Sequence, residues 1–275
     1  ILRKAAKTIS KYKMIKNDEL VVVGVSGGKD SLVLLSILKK MSETHNFRII
    51  AVTIDEGIPG YRDEALEIVK SFCSKLDVEF RTYSYKELYD VTLSESLELR
   101  DEEKTTSCSI CGIFRRRALD HAAEELGANV IATGHNLDDS LQTFLINTLS
   151  GDSNKIGWMS PGSDSKQIRK IKPLAEIYES EIVFYAFTNN LPFQTEPCPH
   201  MNEGIRTEIR EFLNSIEDKH SGIKNNMYRS IIKISEVMKD SSFKEKRICT
   251  NCGNQCTGKI CAVCNMITDL KKERS

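Results

Sequence analysis

The sequence predicts an α/β fold: a doubly wound parallel sheet with its ligand at the carboxyl ends of the strands, followed by a C-terminal zinc ribbon. Three observations predict it. An apolar, β-branched run (Leu20, Val21, Val22, Val23, Val25) passes through the glycine turn GVSGGKDS, residues 24–31, straight into helix-spaced Leu32, Leu34, Leu35 and Leu38. Three more strand-like runs, Arg48–Ile54, Val78–Ser84 and Val130–Thr133, are separated by helical stretches, the order that builds a parallel sheet. Finally, Cys249, Cys252, Cys261 and Cys264 form CxxC-x8-CxxC, four thiolates at the spacing of a tetrahedral Zn²⁺ site.

With 275 residues and 40% apolar side chains, the chain is long enough for one sizeable domain and a small appendage. Lys+Arg and Asp+Glu balance at 39 each, so a nucleic-acid partner has to be met by local basic patches. No apolar run approaches the roughly eighteen residues of a membrane span, and the N-terminus lacks a signal-peptide pattern. The expectation is a cytoplasmic protein with no membrane partner. Nine cysteines, mostly in CxxC pairs, suit metal ligation in a reducing compartment better than a disulfide framework. The sequence opens on Ile1 rather than Met, and an upstream segment is expected to be missing.

Residues 1–17 read as a basic amphipathic helix, either a solvated face or an RNA contact. The turn that follows the first strand is suited to phosphate. Free N–H groups at a helix N-terminus converge on an anion there, and Gly27 and Gly28 carry no Cβ to hold it off. Lys29 adds charge, Ser26 and Ser31 add hydroxyls, and Asp30 lies between them. A nucleotide-hydrolase P-loop does not fit, because Val23 stands where its first glycine belongs and Asp30 follows the lysine. The second strand ends in Asp55-Glu56-Gly57, which places Asp55 and Gly57 near the ligand crevice. Tyr61–Leu76 reads as a helix, Val78–Ser84 as a strand with one exposed face, and residues 86–104 as a solvated, charged helix and loop without chemistry.

Cys108 and Cys111 open the next helix, with both sulfurs on one side of its first turn and their pKa values lowered by the dipole. Redox, zinc and iron–sulfur roles are all open to such a pair. Of the arginines at 115–117, Arg115 is the candidate for phosphate or substrate contact. After the fourth strand, Gly134-His-Asn-Leu-Asp138-Asp139 supplies neighbouring carboxylates suited to Mg²⁺, with Asp138 alternatively a helix N-cap. Residues 166–172 form a basic patch, 179–192 a helix, and 203–240 two helices packing on the main domain. Cys256 is spare to the ribbon, and the basic stretch 244–247 leads into it.

SGGKDS resembles the pyrophosphate loop of the N-type ATP pyrophosphatases. Together with CSICG followed by arginines, and ATGHNLDD, it resembles the tRNA 2-thiolation enzymes of the TtcA/TtuA family, with the C-terminal ribbon favouring the NcsA-like and TtuA-like tRNA-uridine 2-sulfurtransferases. The resemblance spans most of residues 18–200. It implies a PP-loop ATP pyrophosphatase domain at 18–200, preceded by a helix and linker at 1–17 and followed by a helical extension at 201–245 and the ribbon at 246–275. A second ribbon would precede the ATP domain.

It also implies that ATP and Mg²⁺ adenylate the C2 oxygen of a tRNA uridine, which sulfide then displaces, with Lys29 and Asp139 balancing charge. The adenine and ribose would sit beside the second strand. Cys198, between two prolines, becomes functional only through this resemblance, as the third ligand with Cys108 and Cys111 of a [4Fe–4S] cluster. The alternative is a persulfide and disulfide pair on the same residues. Implied partners are tRNA, a sulfur donor (sulfide or a ubiquitin-like sulfur carrier protein) and a second copy of the chain as a homodimer. Two rivals use less of the sequence. A lysidine synthetase or amidotransferase-type synthetase would have no use for the three cysteines, and a non-catalytic RNA-binding ribbon protein none for Lys29 or Asp139.

Overall fold

The computed structural model describes residues 1–101, 105–162, 168–200, 205–238 and 247–272. Strand β1 (Glu19–Gly24) is the centre of a five-stranded sheet, pairing parallel with β2 (Phe47–Asp55) on one side and β4 (Val130–Ala132) on the other. Strands β3 (Phe80–Ser84) and β5 (Arg169–Ile171) are the parallel edges, giving the order β3-β2-β1-β4-β5. Because successive strand side chains point to opposite faces, Val21 and Val23 enter one core while Leu20 and Val22 enter the other. A strand buried on both faces reads as a continuous apolar run, and β1 does.

The first face is covered by α1 (Leu2–Lys11), α2 (Lys29–Ser42), α3 (Tyr61–Leu76) and α8 (Glu179–Thr188). The second is covered by α6 (Ser107–Glu125) and the short helices α4 (Tyr85–Tyr89) and α5 (Leu93–Glu98). Helix α7 (Leu137–Leu149) buries Leu137 and Leu141 against Ile209 and Leu213 of α9 (Arg206–Lys219) and Tyr228 and Ile231 of α10 (Ile223–Met238). The C-terminal unit pairs β6 (Arg247–Ile248) antiparallel with β7 (Gln255–Cys256) and continues into α11 (Ala262–Lys272). It does not hang free: Cys249, Cys261, Val263 and Leu270 are buried in the same cluster as Phe114, Ala118 and Ala122 of α6.

Several expectations are corrected. The segment beginning at residue 86 is not simply solvated, since it carries Leu93 into the core beside α6 while Tyr85 just before it is fully buried; residues 102–104 of that reading lie outside the described residues. Within the basic patch at 166–172, residues 169–171 are drawn into the sheet, where Arg169–Ile171 pair with Val130–Ala132 as an edge strand; residues 166 and 167 lie outside the described residues, as do 244–246. Helix α7 begins at Leu137, four residues earlier than the apolar spacing from Leu141 suggests. Helix α1 commits Lys4 to Glu181 at 2.6 Å and Lys11 to Glu176 at 2.5 Å, so two of its basic side chains are already paired. Among the described residues, no helix is long and apolar enough to cross a membrane.

Candidate active site

A crevice of about 470 Å³ opens at the carboxyl ends of β1, β2 and β4, the position at which open parallel sheets bind ligands, and a size within the usual range of pockets. Ser26, Asp30 and Ser31 form one wall. The turn is held by its own hydroxyls: Ser31 Oγ accepts from the Ser26 N–H at 3.1 Å and donates to the Gly28 carbonyl at 2.9 Å. Gly27 has φ +91°, and a Cβ there would lie 2.9 Å from Ala65 Cβ. Gly134 is forced by close approach, since a Cβ would meet the Asp30 carbonyl carbon at 2.9 Å and the Ser31 nitrogen at 3.0 Å. It lines the crevice with Thr133, His135 and Asp139. Gly27, Gly28 and Lys29 do not line it. The Lys29 ammonium is held by Asp30 at 3.0 Å and by Glu179, at the start of α8, at 2.7 Å.

At the end of β2 the period of two decides which residues face the ligand. Val52, Ile54 and Glu56 line the crevice, so Asp55 points the other way and its carboxylate accepts the Gly57 N–H at 2.8 Å. Gly57 answers to packing: at φ +70° its Cβ would fall 2.6 Å from Thr92. Asp55 and Gly57 therefore do not face the crevice as expected, and Glu56, between them, does.

The aspartate pair also divides. Asn136 is the N-cap of α7, accepting from the Asp139 N–H at 2.9 Å while Asp139 accepts from the Asn136 N–H at 3.1 Å, a reciprocal capping box. Asp138 is neither the cap nor in the crevice. It is buried, ion-paired with Lys224 of α10 at 2.5 Å, and accepts the Glu179 N–H at 2.8 Å. Asp139 faces the crevice; burial pushes its carboxyl up, against the Asn136 N–H and Arg206. Burial likewise raises Asp30, against the Lys29 charge, and Asp139 adds to the rise. Two crowded carboxylates of this kind are a fitting donor set for a divalent cation.

At the opposite wall stands Arg115, whose Nε donates to Glu56 at 2.9 Å and whose Nη2 donates to Cys111 Sγ at 3.0 Å. Cys111 is buried in the first turns of α6, and Tyr85 donates to its carbonyl at 2.8 Å. Its thiol is not lowered by the helix dipole as expected: burial raises it, with Arg115 opposing. Cys108 is exposed one turn earlier. The loop carrying Cys198 reaches the same helix start, where Ser107 Oγ donates to the His200 carbonyl at 3.2 Å, and Cys198 packs half-buried on the cluster that contains Cys111. The three thiols thus gather at one end of α6. Among the described residues, the one group of potential metal ligands whose donor atoms all lie within 4.8 Å is Cys249, Cys252, Cys261 and Cys264. There the Cys261 N–H donates to Cys249 Sγ at 3.2 Å and the Cys264 N–H to Cys261 Sγ at 3.4 Å. Backbone N–H donors push the Cys249 thiol down to about 6. Cys256 stays outside the group and donates to the Gly258 carbonyl.

The family model of the PP-loop domain matches residues 1–217. The tRNA 2-thiolation protein NcsA of Haloferax volcanii is 33% identical over 270 residues, covering 93% of this chain and 84% of that protein. The cytoplasmic tRNA 2-thiolation protein 1 of Drosophila erecta is 36% identical over 273 residues, covering 96% and 78%. The chain belongs to the PP-loop family, in its tRNA 2-thiolation branch. The solved U34-tRNA thiolase NcsA of Methanococcus maripaludis, with its [4Fe-4S] cluster, superposes with a TM-score of 0.83 at 28% identity, over 98% of this chain and 87% of that one. NMN synthetase from Francisella tularensis, at 15% identity and a TM-score of 0.51 over 88% and 95%, shares the fold.

Reading the sequence missed four residues around this PP-loop crevice. Glu56 and Arg62 line it, and Glu179 holds the loop lysine. Lys172, read as part of a surface patch, lies close enough to Asp139 for the carboxylate to raise its pKa against a larger lowering by burial. Glu56 was legible, standing two positions after inward-facing Ile54. The others are brought in by tertiary packing and left no local signal.

Proposed function

We propose that this PP-loop protein is an ATP-dependent tRNA-uridine 2-sulfurtransferase that makes 2-thiouridine. The observation that carries the reading is a single crevice with the phosphate loop residues Ser26 and Ser31 on one wall and, on the other, Arg115 in contact with the Cys111 sulfur. ATP occupies the crevice with its phosphates on the turn and the first turn of α2. The uridine C2 oxygen attacks the α-phosphorus, pyrophosphate leaves, and sulfide then replaces the adenylated oxygen at C2, releasing AMP. Lys29 releases Glu179 to neutralise the departing pyrophosphate, Arg115 steadies charge between nucleotide and sulfur, and Asp139 with Asp30 would hold a Mg²⁺ that offsets phosphate charge.

Cys108, Cys111 and Cys198 fit a [4Fe–4S] cluster by thiol chemistry and by their gathering at one end of α6, beside a compensating guanidinium. Held by these three thiolates, such a cluster would supply a place for the incoming sulfide. Cys249, Cys252, Cys261 and Cys264 would hold Zn²⁺ as four thiolate ligands. Following the named relatives, the substrate is the U34 position of tRNA and the location cytoplasmic; the homodimer and a sulfur supply from sulfide or a ubiquitin-like carrier protein rest on the sequence resemblance alone.

Anaerobic purification with metal and sulfide analysis tests this reading. The expected result is brown protein with about four irons per chain beside zinc, losing iron and tRNA thiolation together on Cys198→Ser. Colourless protein that thiolates tRNA after complete removal of iron would overturn the cluster and leave the persulfide route on the same thiols.

A further inference from the structure

Glu56 belongs to none of the motifs that mark the family resemblance, yet it joins the two halves of the site. One carboxylate oxygen accepts a hydrogen bond from Arg115 Nε at 2.9 Å, and the other is ion-paired with Arg62 Nε at 2.9 Å, out of line for a hydrogen bond. Arg62 is 4% exposed and Glu56 5%, so this pair is enclosed. Arg62 then spends Nη1 on the Ser26 carbonyl of the phosphate loop at 2.7 Å and Nη2 on Thr53 Oγ1 at 2.7 Å. Arg115 spends Nη2 on the Cys111 sulfur. The result is a line of hydrogen bonds joined through one buried ion pair: Ser26, Arg62, Glu56, Arg115, Cys111. The buried carboxylate sits between two guanidiniums as their shared counter-charge; it aligns Arg115 through a hydrogen bond and holds Arg62 by charge, while the Arg62 fork is oriented by Ser26 and Thr53. Removing it would leave two arginines without their shared counter-charge.

We propose that Glu56 is a positioning residue that couples the phosphate loop to the sulfur end of the crevice, so that nucleotide seated on the loop changes the environment of the Cys111 thiol. The inference rests on the crevice being the nucleotide site, and it deepens the proposed function without requiring the cluster or tRNA. A ligand that displaces the Ser26 backbone shifts Arg62. A shift of the Arg62 charge pulls on the enclosed Glu56 carboxylate, whose other oxygen holds Arg115, itself about half exposed and free to respond.

The test is the rate at which iodoacetamide alkylates Cys111, followed by peptide mass spectrometry on the full-length chain purified in air with its zinc retained. Rates are compared without nucleotide and with α,β-methylene-ATP at saturation, established by titration for each variant. The expected result is a change of about fivefold or more on nucleotide in the parent chain, the lower end of ordinary coupling between sites, and no change in Glu56→Gln. Glu56→Asp, which keeps the charge but is too short to span both arginines, should also lose the response and serves if the glutamine variant does not fold. An absent response in the parent chain, or a response that survives in the variants because nucleotide merely shields the thiol, overturns the proposal. Either result leaves tRNA thiolation itself standing.

Discussion

Lys29 is tied down in the nucleotide-free chain by Asp30 and Glu179, with its side chain about a quarter exposed. Its charge therefore serves the fold before it serves phosphate. Lys29→Ala should lower ATP-dependent pyrophosphate release by about a hundred- to a thousandfold, as for removal of one oriented donor from a transition state. A steady-state pyrophosphate assay with tRNA would show it. The variant should also lose about 1 kcal/mol of stability at pH 7, in the range of a partly exposed pair. The pH dependence has a definite sign. Burial would raise the Glu179 carboxyl, but Lys29 holds it below the usual range. A depressed carboxyl contributes stability above its unfolded value of about 4.3, and the contribution is lost as pH falls through the folded value. Urea unfolding should then show the gap between parent and Lys29→Ala nearly constant from about pH 7 to about pH 5 and narrowing from about pH 5 to about pH 3; a gap that widens would reverse the assignment. The neighbouring aspartates separate by the same logic: Asp139→Asn should abolish pyrophosphate release with a small change in stability, because its amide can still accept the Asn136 N–H.

Asp138 acts between elements, pinning α7 to α8 through the Glu179 N–H and to α10 through Lys224. Both side chains of that ion pair are under a tenth exposed. Breaking it from one side leaves a buried charge alone, which costs about 3–5 kcal/mol. Lys224→Met should show that loss in urea unfolding, and Asp138→Asn combined with Lys224→Met should recover most of it. Equal losses in the single and double variants would mean that the pair is not the reason for the cost. Such links explain what the sequence reveals. Strands β1, β2 and β4 are legible because burial on both faces demands unbroken apolar runs, and α2 because Leu32, Leu34, Leu35 and Leu38 are all fully buried. Strand β5 is three residues long and begins Arg169-Lys170, where an edge position tolerates charge, so its letters look like surface. Helices α4 and α5 run five and six residues, too short for helical periodicity to register around Tyr85 and Leu93. Of the motif residues, Ser26, Asp30, Ser31, Arg115, Gly134 and Asp139 line the crevice, while Asp55, Gly57 and Asp138 carry the right letters but turn to the backbone, to packing and to Lys224; Arg62, Lys172 and Glu179 acquire their places only when distant segments meet.

At the scale of the molecule, the C-terminal unit and the sulfur end of the crevice share one helix. Helix α6 presents Cys108 and Cys111 at its start and, further along, Phe114, Ala118 and Ala122 to a cluster that also holds Cys249, Cys261, Val263 and Leu270. The C-terminal unit has a two-residue hairpin ladder and one helix of its own, so its order depends on whatever gathers the four cysteines. Structural zinc supplies about 10–16 kcal/mol to isolated finger peptides, and without it such units unfold. Chelation should therefore release residues 249–270. Freeing Val263 and Leu270 removes apolar burial of about 1.5–3 kcal/mol for each side chain, and amides of α6 that exchange by local opening should then exchange about tenfold faster or more. Hydrogen exchange read by mass spectrometry, with and without a zinc chelator, separates the possibilities. Faster exchange confined to 249–270 would make the ribbon an independent appendage. Loosening that spreads into residues 114–123 would mean that zinc helps to hold the helix on which Cys108 and Cys111 are mounted, and the anaerobically purified protein should then lose iron more readily once zinc is withdrawn.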